Sequence, residues 1–352
     1  MKRANIFIIS VCIALITACG GSETPTNKTE LAPNAAFDSL ISYLENHGNF
    51  INSSDVPAMI TAAKLYNLLD SNIYIIDTRS PNEFANAHVA HSVNVPFGQL
   101  LNHFETKIDP NSFSRIVLVC NAGQTASYAT SLFRLLGYNN VYALKWGISS
   151  WHRETAEKKW LARKSNKYSE LLERTTNIPN KSGDFPEITT QERYGYAILR
   201  ERVQKVFSQG FKPITISADT LFEPKHNFYI INYWPENYYN KGHIPGAIRY
   251  QPKSSLHSSK QLSTLPTNQP IVVYCFTGQH SSHVVAFLQV LGYDAYTLTF
   301  GANSFMNGFM LEEGIPSAFT EDEVLDLPVT SGGTPQETKE IEVTEVSPRG
   351  GC

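Results

Sequence analysis

The chain is poor in cysteine: only Cys12, Cys19, Cys120, Cys275 and Cys352 occur in 352 residues, too few and too odd in number for a disulfide framework. Clusters of one charge are missing too. Lys and Arg number 29 against 32 Asp and Glu, a formal charge of −3 with no basic run, so the electrostatic footprint of a nucleic-acid binder is absent. No spacing of His, Cys, Asp and Glu suggests a metal site, and no glycine loop or haem motif suggests a nucleotide or a haem; neither cofactor nor metal is expected. What is present is 42% hydrophobic and 11% aromatic residues, enough for two domains of ordinary size.

At the N-terminus, Lys2-Arg3 precedes a short apolar stretch from Ile6 to Ile16 and then Thr17-Ala18-Cys19. That order is a secretory leader, too short for a comfortable membrane span. Its end resembles the bacterial lipobox, which implies cleavage after residue 18 and lipidation of Cys19. Residues 19–33, rich in Gly, Ser, Thr, Asn and Pro, read as a flexible tether. The implied address is the cell envelope, anchored on the periplasmic face. Gly20 in place of Asp favours the outer membrane over the inner. Unpaired thiols in an exported protein are open to oxidation and need a reason to be kept.

Two of those thiols sit in a repeated frame. Ile116-Val117-Leu118-Val119-Cys120-Asn121-Ala122-Gly123-Gln124 recurs as Ile271-Val272-Val273-Tyr274-Cys275-Phe276-Thr277-Gly278-Gln279. Asp77 precedes Cys120 by 43 residues and Asn232 precedes Cys275 by 43; His88 and His243 each stand 32 residues before their cysteine. One domain has been duplicated. β-branched runs at 73–77, 116–120, 228–232 and 271–275 alternate with helical patterns, which predicts an α/β fold with a parallel sheet flanked by helices in each half. Thr61 and Ser217 are expected helix N-caps. Ala129, Leu132, Phe133 and Leu136, with Val284, Phe287, Leu288 and Leu291, recur at helical spacing and are core. Amphipathic helices are expected at 34–47 and 190–208. The domains span 34–155 and 186–327, joined by a linker at 156–185, and the Thr/Gly/Pro/Glu-rich residues 328–352 read as a disordered tail.

A cysteine that ends a strand and opens a helix meets unpaired N–H groups and the positive end of the helix, which favours thiolate and holds anions. Gly123 and Gly278 let the loop curl. Taken with Asp77-Thr78-Arg79-Ser80-Pro81-Asn82-Glu83-Phe84, His88-Val89 and Gly147…Trp151 in the first half, and Gly242-His243-Ile244-Pro245-Gly246-Ala247 in the second, the chain resembles the rhodanese (sulfurtransferase) family over roughly residues 58–152 and 214–309. The resemblance implies two tandem rhodanese-like domains and a cysteine persulfide enzyme, which passes sulfane sulfur from thiosulfate or a persulfide to a thiol or cyanide. It places the reaction on Cys120 and, with less support, Cys275. The anion loops would be Asn121, Ala122, Gly123, Gln124 and Thr125, and Phe276, Thr277, Gly278, Gln279 and His280. Asp77, Arg79 and Glu83 would buttress the first loop, and His88 and His243 would order the loops.

Departures from the family pattern are informative. Arg often stands at the position of Thr125 or His280; here the first loop is uncharged, and His280 is either a protonated anion-binding group or a solvated first-turn residue. Thiosulfate is therefore a doubtful donor, and a less charged persulfide remains open. Asp-x-Arg of the first half becomes Asn232-Tyr233-Trp234 in the second. A phosphatase of the Cys-x5-Arg type is the sharpest enzymatic alternative and falls far behind, because Ala126 and Ser281 occupy the Arg position and no guanidinium is there to grip phosphate. The competing class is a catalytically weak module that binds an anion or a partner protein. Cys352, at the end of the tail, could meet an active-site thiol or stay inert.

Overall fold

The computed structural model of the chain describes residues 34–224 and 226–333. The leader, Cys19, the tether and Cys352 lie outside the described residues. Two five-stranded sheets repeat one topology. The first contains β1 (Met59–Ile60), β2 (Ile73–Asp77), β3 (Ser92–Asn94), β4 (Arg115–Val119) and β5 (Val141–Leu144) in the order β1-β5-β4-β2-β3. The second contains β6 (Thr215–Ile216), β7 (Tyr229–Asn232), β8 (Ile248–Arg249), β9 (Ile271–Tyr274) and β10 (Ala295–Leu298) in the order β6-β10-β9-β7-β8. Every pairing is parallel, the arrangement expected where helices cover both faces and the strands are apolar throughout. Ile116 to Val119 and Ile271 to Tyr274 are all buried.

Local signals act as expected. Thr61 accepts from the Lys64 N–H and Ser217 from the Thr220 N–H, capping the first helix of each half. Helices Gln124–Leu135 and Gln279–Val290 start at left-handed Gly123 and Gly278 (φ 85° and 76°). The two preceding helices form at Ala35–Asn46 and Gly195–Gln209.

The halves share a core. Helix Gln124–Leu135 packs along helix Gln279–Val290, and one buried cluster takes in Leu132 and Phe133 from the first half and Phe207, Val284 and Phe287 from the second. Ser131 Oγ donates to the His283 carbonyl across this seam (2.9 Å). The connecting residues are ordered, not loose: Trp160 is fully buried and Tyr168 stacks on Phe222 with centroids 4.1 Å apart.

The tail requires a correction. Trp151 Nε1 donates to the Pro328 carbonyl (2.8 Å), His88 and Thr330 exchange both backbone hydrogen bonds (2.9 Å each), and the Gly332 N–H donates to the Ala85 carbonyl (2.7 Å). Residues 328–333 thus strap the first half instead of beginning a disordered tail, because backbone pairing and the buried Trp151 hold a segment whose composition alone predicts no structure. The linker does the same for the second half, where Glu173 and His243 pair as an antiparallel bridge. Among the described residues no helix is long and apolar enough to cross a membrane.

Candidate active site

Cys120 and Cys275 directly follow β4 and β9, the middle strand of each sheet. Open parallel sheets place their ligands at this carboxyl edge. The backbone N–H groups of Gly123 (3.1 Å) and Ala126 (3.3 Å) donate to Cys120 Sγ. The thiol is nevertheless only 5% exposed. Burial pushes its pKa up, backbone donation from Ala126, Ala122 and Gly123 pulls it down, and the Asp77 carboxylate pushes it up; the net direction is upward. The expectation of a depressed thiol is corrected here: the cradle of donors exists, and desolvation outweighs it.

A charged frame stands behind this loop. Arg79 Nε lies 3.0 Å from both carboxylate oxygens of Asp77, and Arg79 Nη2 donates to Asp77 Oδ2 (2.6 Å) and to the Ala87 carbonyl (2.5 Å). Both side chains are buried, so the pair has little water to compete with its bidentate geometry. Glu83 joins the loop to helix Pro81–Asn86. Its carboxylate accepts from the Ser80 N–H in a capping box and from Asn121 Nδ2 (2.8 Å). Burial alone would raise the Glu83 pKa, but hydrogen bonds from Ser80 and Asn121 and the Lys159 charge hold it below the usual value.

In the second half an aromatic cluster replaces that frame. Asn232, Trp234, Tyr238 and Phe276 occupy the positions of Asp77, Arg79, Glu83 and Asn121. Trp234 stacks on Phe276 (4.7 Å) and Tyr238 meets it edge-on (5.6 Å). Cys275, 2% exposed, accepts from the Ser281 N–H (3.2 Å), and its thiol lies 3.6 Å from Ser281 Oγ. Thr277 Oγ1 serves its own loop, accepting from the Gln279 N–H (3.1 Å).

Three expectations about side chains change. His280 is neither a cation nor a solvated residue: it meets Tyr233 edge-on (5.0 Å), its Nε2 has no hydrogen-bond partner among the described residues, and burial, with His283 and Lys253 nearby, lowers its pKa to about 3. It is neutral wherever the protein functions near neutrality. Gln124 and Gln279 do not face their own thiols; each turns its side chain into the opposite half. His88 and His243 bond through Nδ1 to the Phe84 (2.7 Å) and Tyr239 (2.9 Å) carbonyls and stack on those same rings. Their backbones hold the tail and the linker; the segments they order are those straps.

Two features escaped the sequence reading. A cleft of about 170 Å³ beside the Cys120 loop is lined by Arg79, Glu83, Asn121, His152, Lys158 and Lys159, among others. The last three fall at the end of the first domain and the start of the segment read as a linker, and none was singled out as a site residue. Trp160 Nε1 donates to the Ala122 carbonyl (3.2 Å), and Trp146, Phe300 and Phe319 pack around it. A Trp in a segment read as a linker was the available signal.

The rhodanese-like domain family matches residues 61–154 and 220–307. The tRNA uridine(34) hydroxylase of Buchnera aphidicola subsp. Baizongia pistaciae is 25% identical over 137 residues, covering 38% of this chain and 44% of that protein. The adenylyltransferase and sulfurtransferase uba4 of Ogataea parapolymorpha is 26% identical over 81 residues, covering 23% and 20%. The chain thus spans less than half the length of these curated relatives. Among solved structures, the thiosulfate sulfurtransferase of Pseudomonas aeruginosa aligns with 85% of this chain and 69% of its own at 17% identity and a TM-score of 0.26.

Proposed function

Because the chain belongs to the rhodanese-like domain family, we propose that it is a sulfurtransferase acting through a persulfide on Cys120, with Cys275 as a second and weaker site. One observation carries this reading: backbone N–H groups converge on Cys120 Sγ at the end of the central strand, where they can hold a terminal sulfur anion. The Cys120 thiolate attacks the outer sulfur of a sulfane donor. A sulfur–sulfur bond forms to Cys120 and the donor's bond to that sulfur breaks, with the electron pair leaving on sulfite or a thiolate. A thiol or cyanide then attacks the same sulfur and releases the Cys120 thiolate, so each transfer is split into two easier steps.

An uncharged loop suits a persulfide donor better than thiosulfate. Action on RNA, which the name of one relative states for that protein, has no basic run in this chain to support it. The buried thiols and the raised Cys120 pKa favour one other reading, a weak module that binds an anion or a protein. Incubation of the folded protein with sulfane donors, read by peptide mass spectrometry, separates the two. One added sulfur on Cys120, lost in Cys120→Ser, supports transfer; no added sulfur from any donor on either thiol overturns it. We also propose that Cys19 is lipidated and anchors the protein on the periplasmic face, with Gly20 favouring the outer membrane over the inner. Mass analysis of the N-terminal peptide checks this, and an unmodified, uncleaved residue 19 would refute it.

A further inference from the structure

The two glutamines that leave their own loops form a reciprocal clasp. Gln279 is fully buried. Its Oε1 accepts from the Trp146 N–H (2.8 Å), and its Nε2 donates to Ser127 Oγ (3.3 Å) and the Leu144 carbonyl (3.4 Å). All three partners are in the first half. Gln124 answers from the other side: its Oε1 accepts from the Phe300 N–H (2.8 Å), and its Nε2 donates to the Leu298 carbonyl (3.2 Å).

The residues so held lie directly behind the opposite thiol loop. Trp146 and Phe300 are both left-handed, at φ 67° and 59°, a conformation that side-chain-bearing residues adopt only when their surroundings hold them. Each is followed by a glycine packed under a cysteine loop. A Cβ on Gly147 would press on the Cys120 carbonyl and sit 2.5 Å from the Gly123 nitrogen; one on Gly301 would press on the Cys275 carbonyl and sit 2.5 Å from the Gly278 nitrogen. Next in line, the Ile148 N–H donates to the Cys120 carbonyl (2.8 Å) and the Ala302 N–H to the Cys275 carbonyl (3.0 Å). The contact also runs directly from loop to loop, since a Cβ on Gly123 would sit 2.7 Å from the Gln279 carboxamide carbon and one on Gly278 at 2.7 Å from that of Gln124.

We infer that Gln279 is a positioning residue for Cys120 and Gln124 a positioning residue for Cys275, each half of the repeat setting the thiol loop of the other. The chain of contact is explicit for the first thiol. Gln279 fixes Trp146, Trp146 fixes Gly147, and Gly147 backs the turn whose N–H groups point at Cys120 Sγ. The inference rests on the sulfurtransferase reading only for its meaning in turnover; the clasp itself acts on thiol reactivity. Among the described residues the Gln279 side chain makes its hydrogen bonds in the opposite half, so truncating it leaves the bonds within its own loop in place.

The test is the pH dependence of alkylation by iodoacetamide, followed on the Cys120 and Cys275 peptides of the full-length protein. Gln279→Ala should raise the pH midpoint of Cys120 alkylation by about one unit and lower its rate near neutrality about tenfold, as a smaller thiolate fraction requires, with Cys275 unchanged within about twofold. Gln124→Ala should give the converse. Gln279→Met and Gln124→Met keep side-chain length without the carboxamide and decide the matter if the alanine variants fold poorly. A loss of stability alone would expose both thiols together. Equal changes at both thiols, or a change only at the thiol of the substituted half, would overturn the inference. Sulfur acceptance by the parent protein is measured separately, so an inert Cys120 that still shows the crossed pattern refutes the sulfurtransferase reading and leaves the clasp standing.

Discussion

The two halves repeat one backbone and support their thiols in opposite ways. Behind Cys120 stand Asp77, Arg79, Glu83 and Asn121, a set of charges and amides that satisfy one another. Behind Cys275, the same four positions hold Asn232, Trp234, Tyr238 and Phe276, joined by ring contacts. Helix packing, left-handed glycines and histidine stacks are kept in both. The difference teaches that the strand-to-helix geometry around a thiol can be held by either kind of frame, whereas the field at the sulfur cannot. Asp77 acts on Cys120 electrostatically, and its counterpart Asn232 carries no charge to act on Cys275.

The largest expected effect would break the comparison at its centre. Cys120→Ser should lower sulfur transfer about a thousandfold or more, as removal of a nucleophile does, while Cys275→Ser leaves most of it. Steady-state assay with a persulfide donor checks this, and equal losses would make the sites equivalent. Next come the frames. Arg79→Ala strands the Asp77 carboxylate, fully buried, at a cost of about 3–5 kcal/mol. Trp234→Ala should cost a similar amount by a different route, the cavity left by a large ring. Chemical denaturation reads both, and their salt dependence need not differ, because both sites exclude water.

Acid separates the halves more sharply. His280 and His283 have pKa values lowered by burial to about 3 and about 4, while their first-half counterparts are Thr125 and Tyr128. Once unfolded, both histidines take up protons near pH 6.5; folded, they do not until far lower pH. Stability is therefore whole above about pH 6.5 and falls as the pH drops from there towards 4 and then 3. The pair should cost roughly 3 kcal/mol between pH 6.5 and 5. His280→Thr should remove part of that slope in denaturation measured across this window. An unchanged slope would mean that His280 gains its proton in the folded protein.

Much of this asymmetry was legible before any coordinates. The replacement of Asp-x-Arg by Asn232-Tyr233-Trp234 is visible in a line of sequence, as are the strands, the caps Thr61 and Ser217 and the duplicated cysteine. Those features are encoded by spacing along a few turns of chain. What His280, Gln124 and Gln279 do was not legible, because each follows a loop glycine at a helix start where exposure to solvent is the ordinary reading. The side chains of Gln124 and Gln279 find their partners more than a hundred positions away, across a seam set by packing one helix of the repeat on the other, and His280 is enclosed by Tyr233 and Lys253 from other loops of its own half. The strap at 328–333 was hidden for a related reason: backbone pairing to His88 needs no particular side chains. Thiol burial was equally silent, and it reversed the expected direction of the Cys120 pKa.

The smallest effect probes why the frames differ. Ser80 and Glu83 cap helix Pro81–Asn86 reciprocally, and Glu83 spends its other oxygen on Asn121. Ser80→Ala should cost about 1 kcal/mol, seen as a modest shift of the denaturation midpoint. In the second half the equivalent helix, Glu236–Tyr239, begins at Pro235 with no side-chain cap. Pro235→Ser with Tyr238→Glu would supply both partners of a box, yet the new carboxylate would face the Phe276 ring without a donor for its second oxygen, so the pair should gain little or lose stability. Adding Phe276→Asn supplies that donor and should recover up to about 1 kcal/mol relative to the double variant. If the double variant is already stabilised by as much as Ser80→Ala costs, then the cap and the thiol loop are independent. Charged and aromatic frames would then be exchangeable one residue at a time instead of only as sets.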